Sequence, residues 1–301
     1  MPIRHPLVLV GLLAAALSIG GCAVAQTQTG DAVIVQARDA LTRGDRARLA
    51  TLRDVAMLER HPLAQWVDYW DLTSKLANAR QSDLDAFYAR WPGTYVEDRL
   101  RNDWLLELGK RRDWDNFRRE FPRFRMNDDR EVTCYALLTR YLDGDNVRAE
   151  ALPVWIAQRD RDDGCQLLAT TMAGAGRLPE ADVWRKVRLA VDRNRHGAAR
   201  AGAAVLGSEV EASVAELLKS PASHLAKRAS GQPGTPAELT TLALLRIAAG
   251  DPEAAATQLQ TWQRRLPRPL AAWDWASTAR EAAQRLQPQA AEHFQRDWAQ
   301  L

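Results

Sequence analysis

The sequence has no long apolar run after residue 19 and no surplus of one charge. Its 301 residues include 41 Lys and Arg against 38 Asp and Glu, a net charge of +3. A balance this close leaves no basic footprint for nucleic acid. Cysteine is scarce, with three in the chain, too few for a disulfide scaffold or a structural zinc site. The histidines, His5, His61, His196, His224 and His293, are scattered and make no HExxH or paired ligand spacing, so no metal is expected. There is no Gly-x-Ser-x-Gly elbow, and no glycine-rich loop follows a strand, so neither an acyl-transfer nucleophile nor a bound cofactor is expected. With 46% hydrophobic and 26% charged residues, the chain is nevertheless too apolar to be disordered.

The concentrated apolar segment lies at the start. Arg4 and His5 precede Leu7 to Ile19, and small residues follow. A basic start, about 13 apolar residues and a small-residue site make an export signal. The run is shorter than the ~20 residues of a permanent membrane helix. Two processing routes compete. Ala23-Val24-Ala25 would release a signal peptide of residues 1–25, whereas Ile19-Gly20-Gly21-Cys22 resembles a lipobox that would remove residues 1–21 and lipidate Cys22. A cytoplasmic chain with a buried N-terminal helix is the alternative to export. Either processing route leaves Cys134 and Cys165. In an oxidising compartment these two can close a loop worth about 3–4 kcal/mol in the chain-entropy model. The other reading is two unpaired buried thiols.

From Asp31 onward no segment alternates apolar and polar residues for long. Apolar residues recur instead at helical spacing, as in Leu239, Leu242, Leu245 and Ala249. Breakers such as His61-Pro62, Trp91-Pro92-Gly93, Phe121-Pro122 and Leu266-Pro267 divide the pattern into short helices. Ser82 and Ser208 look like N-caps, and Thr235-Pro236-Ala237-Glu238 like an N1 proline with a capping-box glutamate. Gly44-Asp45, Gly144-Asp145 and Gly250-Asp251 each end an apolar helix, with glycine expected to stop it and aspartate to cap the next. The copies are degenerate and unevenly spaced. The expected fold class is therefore all-α, an irregular α-solenoid or superhelix of helical hairpins, with residues 26–301 as one domain. Gly231-Gln232-Pro233-Gly234 reads as a long loop within it.

The acidic pairs Asp128-Asp129 and Asp162-Asp163 fall in turns, where capping or solvation explains them better than two-carboxylate glycoside chemistry. Eleven tryptophans are the compositional oddity. Trp66, Trp70, Trp104, Trp114, Trp155, Trp184, Trp262, Trp273 and Trp275 mostly occupy apolar helical positions. Hairpin packing with the indole N–H bonded to a carbonyl is the first explanation, and a sugar-facing groove the second. Lys110-Arg111-Arg112 and Arg264-Arg265 suit helix C-termini.

Several segments, taken in order, are familiar. His61-Pro62-Leu63-Ala64-Gln65-Trp66-Val67-Asp68-Tyr69-Trp70-Asp71-Leu72, then Phe87-Tyr88-Ala89-Arg90-Trp91-Pro92 and Trp104 to Trp114, resemble the soluble lytic murein transglycosylases. Cys134-Tyr135-Ala136 with Cys165, and Trp273-Asp274-Trp275-Ala276 with His293-Phe294, look like later parts of the same domain. The resemblance covers Asp31 to Leu301. It implies a U-shaped α-superhelix and a Cys134–Cys165 disulfide. It also implies cleavage of the MurNAc–GlcNAc bond with a 1,6-anhydro product, driven by one glutamate acting as acid and then base.

In the family that glutamate precedes a serine, and a Gly-Leu-Met-Gln segment accompanies it. Here no glutamate is followed by serine and no Gly-Leu-Met occurs, so no catalytic residue carries over. The expectation is the N-terminal superhelical part of a periplasmic lytic transglycosylase, without the lysozyme-like catalytic domain and with an open apolar face that aggregates or dimerises. Its partners would be peptidoglycan glycan strands, with periplasmic proteins in addition, no nucleic acid, and a membrane only through a lipidated Cys22. The alternative is a free-standing periplasmic α-solenoid that binds proteins and has no enzymatic activity.

Overall fold

The computed structural model describes the backbone of residues 24–298 and the side chains of residues 30–296. Cys22 and the segment before it that is expected to direct export lie outside the described residues. Among the described residues there are 17 α-helices and no strand. The chain divides into two compact units, with the boundary in sequence between Leu100 and Arg101.

The first unit holds α1 (Val24–Arg43), α2 (Arg46–Leu58), α3 (Ala64–Thr73), α4 (Gln81–Arg90) and the start of α5 (Tyr95–Arg111). α1, α2 and α3 pack on one another over Ala37, Ala40, Leu49, Leu52, Ala56 and Val67. Asp68 is buried but fully engaged. It accepts from Arg53 Nε at 2.6 Å, Arg90 Nε at 2.9 Å and Trp91 Nε1 at 2.8 Å. A carboxylate held by two guanidinium groups and an indole recovers what burial costs it, and ties α2, α3 and the end of α4 together.

The second unit continues with α6 (Trp114–Glu120), α7 (Arg130–Leu142), α8 (Arg148–Ala157), α9 (Asp163–Gly174), α10 (Glu180–Asp192) and α11 (His196–Ala204). There follow α12 (Ser208–Lys219), α13 (Pro221–Lys227), α14 (Thr235–Ala248), α15 (Pro252–Trp262), α16 (Arg268–Gln284) and α17 (Ala290–Trp298). Helices pack on the next or next-but-one in sequence, as in α7 with α8 and α9, and α14 with α15 and α16. That is the layering of an α-hairpin array, in which each apolar stripe is covered by its neighbours. In addition α10 packs on α14, past the three intervening helices.

Cys134 on α7 and Cys165 on α9 form a disulfide, with Cα atoms 4.9 Å apart. Next to it, Tyr135 donates to Asp163 at 2.6 Å, and Arg112 grips the same carboxylate through Nη1 at 2.6 Å and Nη2 at 3.1 Å. Asp163 is held below the usual carboxylate range, chiefly by Arg112. Glu131 accepts from the amides of Asp163 and Gly164 at the start of α9. Burial pushes its carboxyl up, although those two amides oppose the shift. Asp129 and Asp162 cap α7 and α9, so both acidic pairs serve helix ends.

Several caps differ from the expectation. α4 starts at Gln81, one residue before Ser82, and Asp83 accepts from the Arg80 amide. Ser208 is the first helical residue of α12, after Gly207. Asp45 and Asp251 cap α2 and α15, but Asp145 does not cap α8; its carboxylate pairs with Arg140 at 3.1 Å. Gly44 and Gly144 take positive φ, whereas Gly250 does not. Glu238 makes no capping box on α14, because Arg188 from α10 takes its carboxylate instead. At Ser82 and Ser208 the helix start is shifted by one residue, and at Asp145 and Glu238 an arginine takes the carboxylate that was expected to cap.

The tryptophans divide into two groups. Trp104, Trp155, Trp184, Trp262 and Trp275 are buried in the helical layers. Trp66, Trp70, Trp114 and Trp273 are half-buried. Two indole N–H groups donate to side chains, Trp91 to Asp68 and Trp275 to Gln263.

Candidate functional site

Along α16, Trp273, Asp274, Ser277, Arg280 and Glu281 recur at intervals of three and four and so share one stripe. The remaining positions carry the apolar contacts. Leu270, Ala271 and Trp275 join Leu244, Leu259 and Trp262 in the core. A polar stripe on a helix this buried must find partners, and it finds them on α10 and α14.

Three contacts fix the arrangement. Asp192, the last residue of α10, accepts from Arg280 Nη1 at 2.6 Å and Nη2 at 2.9 Å, and from the Ser277 hydroxyl. Arg188, one turn earlier on α10, reaches both Glu238 carboxylate oxygens on α14 through Nη1 at 2.5 Å. The Arg188 guanidinium carbon also lies 4.8 Å from the centre of the Trp273 ring, which holds the indole against α10.

Asp274 sits behind this surface, 1% exposed. Its carboxyl faces the Thr241 hydroxyl of α14. Burial drives its carboxyl well above the usual range; the Thr241 hydroxyl and then Arg188 oppose this, while Glu238 and Asp192 push the same way as burial. Burial also raises Glu238, again against Arg188.

In front lies an open groove in two parts that share Asp192 and Arg280. One part, of about 450 Å³, is an apolar shelf formed by Pro269, Ala272, Trp273, Ala276 and Phe294. The other, of about 590 Å³, is polar and includes Arg193, Asn194, Arg246, Glu281 and Gln284. An apolar shelf beside convergent polar groups suits an amphipathic ligand. Neither raised carboxyl, Asp274 or Glu238, borders the groove.

A second buried ionisable group lies elsewhere in the unit. Lys186 on α10 is 1% exposed and donates to the Trp155 carbonyl and to Gln158 Oε1, the latter at 2.9 Å. Its ammonium lies 4.6 Å from the centre of the Trp155 ring. Burial brings its pKa down to about 7. Among the described residues no three His, Cys, Asp or Glu side chains converge as a metal site. No helix there is long and apolar enough to cross a membrane.

Sequence reasoning named Cys134, Cys165 and Trp273, gave Glu238 only as a helix cap and Asp274 only as part of a familiar segment, and missed Arg188, Asp192 and Arg280. The available signal was polar residues at helical spacing within the alanine-rich α16.

No family model and no curated protein matches the chain. Solved structures do. The lytic transglycosylase Slt of Pseudomonas aeruginosa, in an inactive mutant form, is 24% identical over 87% of this chain, with a TM-score of 0.57. The 70-kDa soluble lytic transglycosylase of Escherichia coli is 15% identical over 90% of the chain, also at 0.57. A 70-kDa soluble lytic transglycosylase in complex with bulgecin A gives 15% identity and a TM-score of 0.56. The chain shares the all-α fold of these proteins and spans 43–44% of their length.

Proposed function

We propose that this chain is the superhelical framework of a periplasmic lytic murein transglycosylase, and that it holds peptidoglycan glycan strands during cell-wall turnover. The observation that carries this reading is the fold match to two such enzymes over nearly nine-tenths of the chain. The Cys134–Cys165 disulfide supports an oxidising compartment, and the segment of residues 1–25 would direct export to it. The groove on α10, α14 and α16 supports binding of an amphipathic strand.

Cleavage of the MurNAc–GlcNAc bond needs a glutamate with a raised pKa that touches the glycosidic oxygen. The raised carboxyls of the second unit are engaged or enclosed: Glu131 by amides, Glu238 by Arg188, and Asp274 by burial. In our reading the cleavage chemistry belongs to a separate lysozyme-like domain, and the helical array binds and guides the strand.

Co-sedimentation of purified residues 26–301 with peptidoglycan sacculi tests the proposal. Retention in the pellet is expected, with no 1,6-anhydro-muropeptides in the supernatant by mass spectrometry. Protein that stays in the supernatant would contradict the binding role. Anhydro products would place the catalytic acid within these residues.

A further inference from the structure

The polar part of the groove has an unbalanced charge. Its two acids are already taken. Asp192 is held by Arg280 through two hydrogen bonds, and Glu281 is bound by Arg280 and Arg285, each at 2.9 Å. Arg193, just past the end of α10, and Arg246, in the last turn of α14, line the same cavity and meet no carboxylate. Arg246 is half-buried, and its Nε is enclosed without an acceptor. The surplus is felt locally: next to Arg246 the His196 imidazole is pushed below its usual range, first by burial and then by the Arg246 charge. Helix C-termini favour cations, which accounts for one arginine at each helix end. It does not account for two of them facing one cavity whose acids are already saturated.

The apolar shelf adjoins this well across the shared Asp192–Arg280 pair. A ligand that fills both parts needs an apolar ring face and, beside it, an anionic group of carboxylate geometry, which guanidinium groups bind by paired N–H donors. We infer that the groove is a subsite for a carboxylate-bearing amino sugar, with the sugar on the Trp273–Phe294 shelf and its carboxylate between Arg193 and Arg246. The inference rests on the peptidoglycan reading and narrows it: the site would take the acidic sugar of the strand and leave the neutral one. The carboxylate can come from the sugar's own lactyl group or from an attached peptide.

Binding is measured by calorimetry on residues 26–301 with three probes: N-acetylmuramic acid, N-acetylmuramyl-L-alanyl-D-isoglutamine and neutral chitotetraose. Both carboxylated probes, or one of them, should bind at least tenfold more tightly than chitotetraose. The better of the two identifies the source of the carboxylate. Arg193→Gln with Arg246→Gln should lower that affinity about tenfold or more, as expected for loss of a charged hydrogen-bonded pair. Arg246→Lys should retain part of it. Unchanged thermal unfolding of the variants separates loss of the site from loss of the fold.

Equal binding of chitotetraose, or undiminished binding by the double variant, would overturn the inference. Sacculus retention by the wild-type chain decides the broader reading separately. If wild type and double variant pellet alike, the subsite is wrong while the peptidoglycan reading stands. If arginine-dependent binding of a carboxylated probe occurs without sacculus retention, the subsite stands and the peptidoglycan reading fails.

Discussion

Asp192 and Arg280 lie 88 positions apart in the sequence, yet they are joined by two hydrogen bonds of 2.6 and 2.9 Å. The pair locks the end of α10 to the middle of α16 and forms the wall common to both halves of the groove. A pair with its carboxylate side chain only 9% exposed is screened less than a surface salt bridge. Arg280→Ala leaves Asp192 with Ser277 alone and is expected to destabilise the chain by about 2–3 kcal/mol, measured by urea unfolding. A change under ~0.5 kcal/mol would mean that the helices are held in place by apolar packing alone.

Asp274 should give stability a dependence on pH. Its carboxyl is raised in the folded state, whereas an unfolded aspartate titrates near ~3.9. Below that pH both states are protonated and burial costs nothing in ionisation. As pH rises through about 4 the unfolded chain ionises first, so wild-type stability falls until the folded carboxyl also ionises. Asp274→Asn lacks this term. Urea unfolding at pH 4, 6 and 8 should show the variant gaining on wild type as pH rises; a constant difference would mean that the folded carboxyl is not raised.

Lys186 acts over a different range. Its folded pKa of about 7 lies below that of an unfolded lysine, ~10.4. Between these values the unfolded chain holds the extra proton, so wild type loses stability as pH falls from about 10 to about 7 and levels off below that. Lys186→Met should remove this slope, so wild type should gain on the variant as pH rises from 7 to about 10. Parallel unfolding curves for the two proteins at pH 7 and 9.5 would contradict it.

Gly109 faces Tyr135, and a Cβ at that position would fall 2.3 Å from the ring. The ring cannot withdraw, because its hydroxyl is bonded to Asp163 and it packs against Trp114 and Phe117. Gly109→Ala is expected to cost about 1–3 kcal/mol. Gly174→Ala, which meets open space at the end of α9, should be neutral or stabilise by up to about 1 kcal/mol. Equal effects of the two, by thermal unfolding, would contradict the packing described around Tyr135.

Replacing Cys134 and Cys165 together with serine should lower stability by about 3–4 kcal/mol, read from the urea midpoint. Reduction of the wild-type protein should reproduce most of the loss. An unchanged midpoint after both treatments would show that the bridge contributes nothing.

The helical class was legible because apolar residues at three- and four-residue spacing, broken by Pro and Gly, admit little else. Asp45 and Asp251 behaved as their local sequence suggests. Asp145 and Glu238 did not, since Arg140 and Arg188 offered charged partners that no local rule can foresee. The groove was hidden for the same reason. Asp192, Arg246 and Arg280 come from helices separated by long stretches of sequence, and only packing brings them together. The polar stripe Asp274, Ser277 and Glu281 was visible as a pattern, but its partners were not. Among the tryptophans, composition pointed equally at nine, and the fold leaves Trp273 at the groove while enclosing five others.

Hydrogen–deuterium exchange with soluble muropeptide fragments tests most directly whether this helical array binds peptidoglycan through the groove. Slower exchange is expected at residues 193–196, at the end of α14 and along α16, with residues 30–100 unaffected. Protection confined to other helices, or no protection at saturating ligand, would contradict the account.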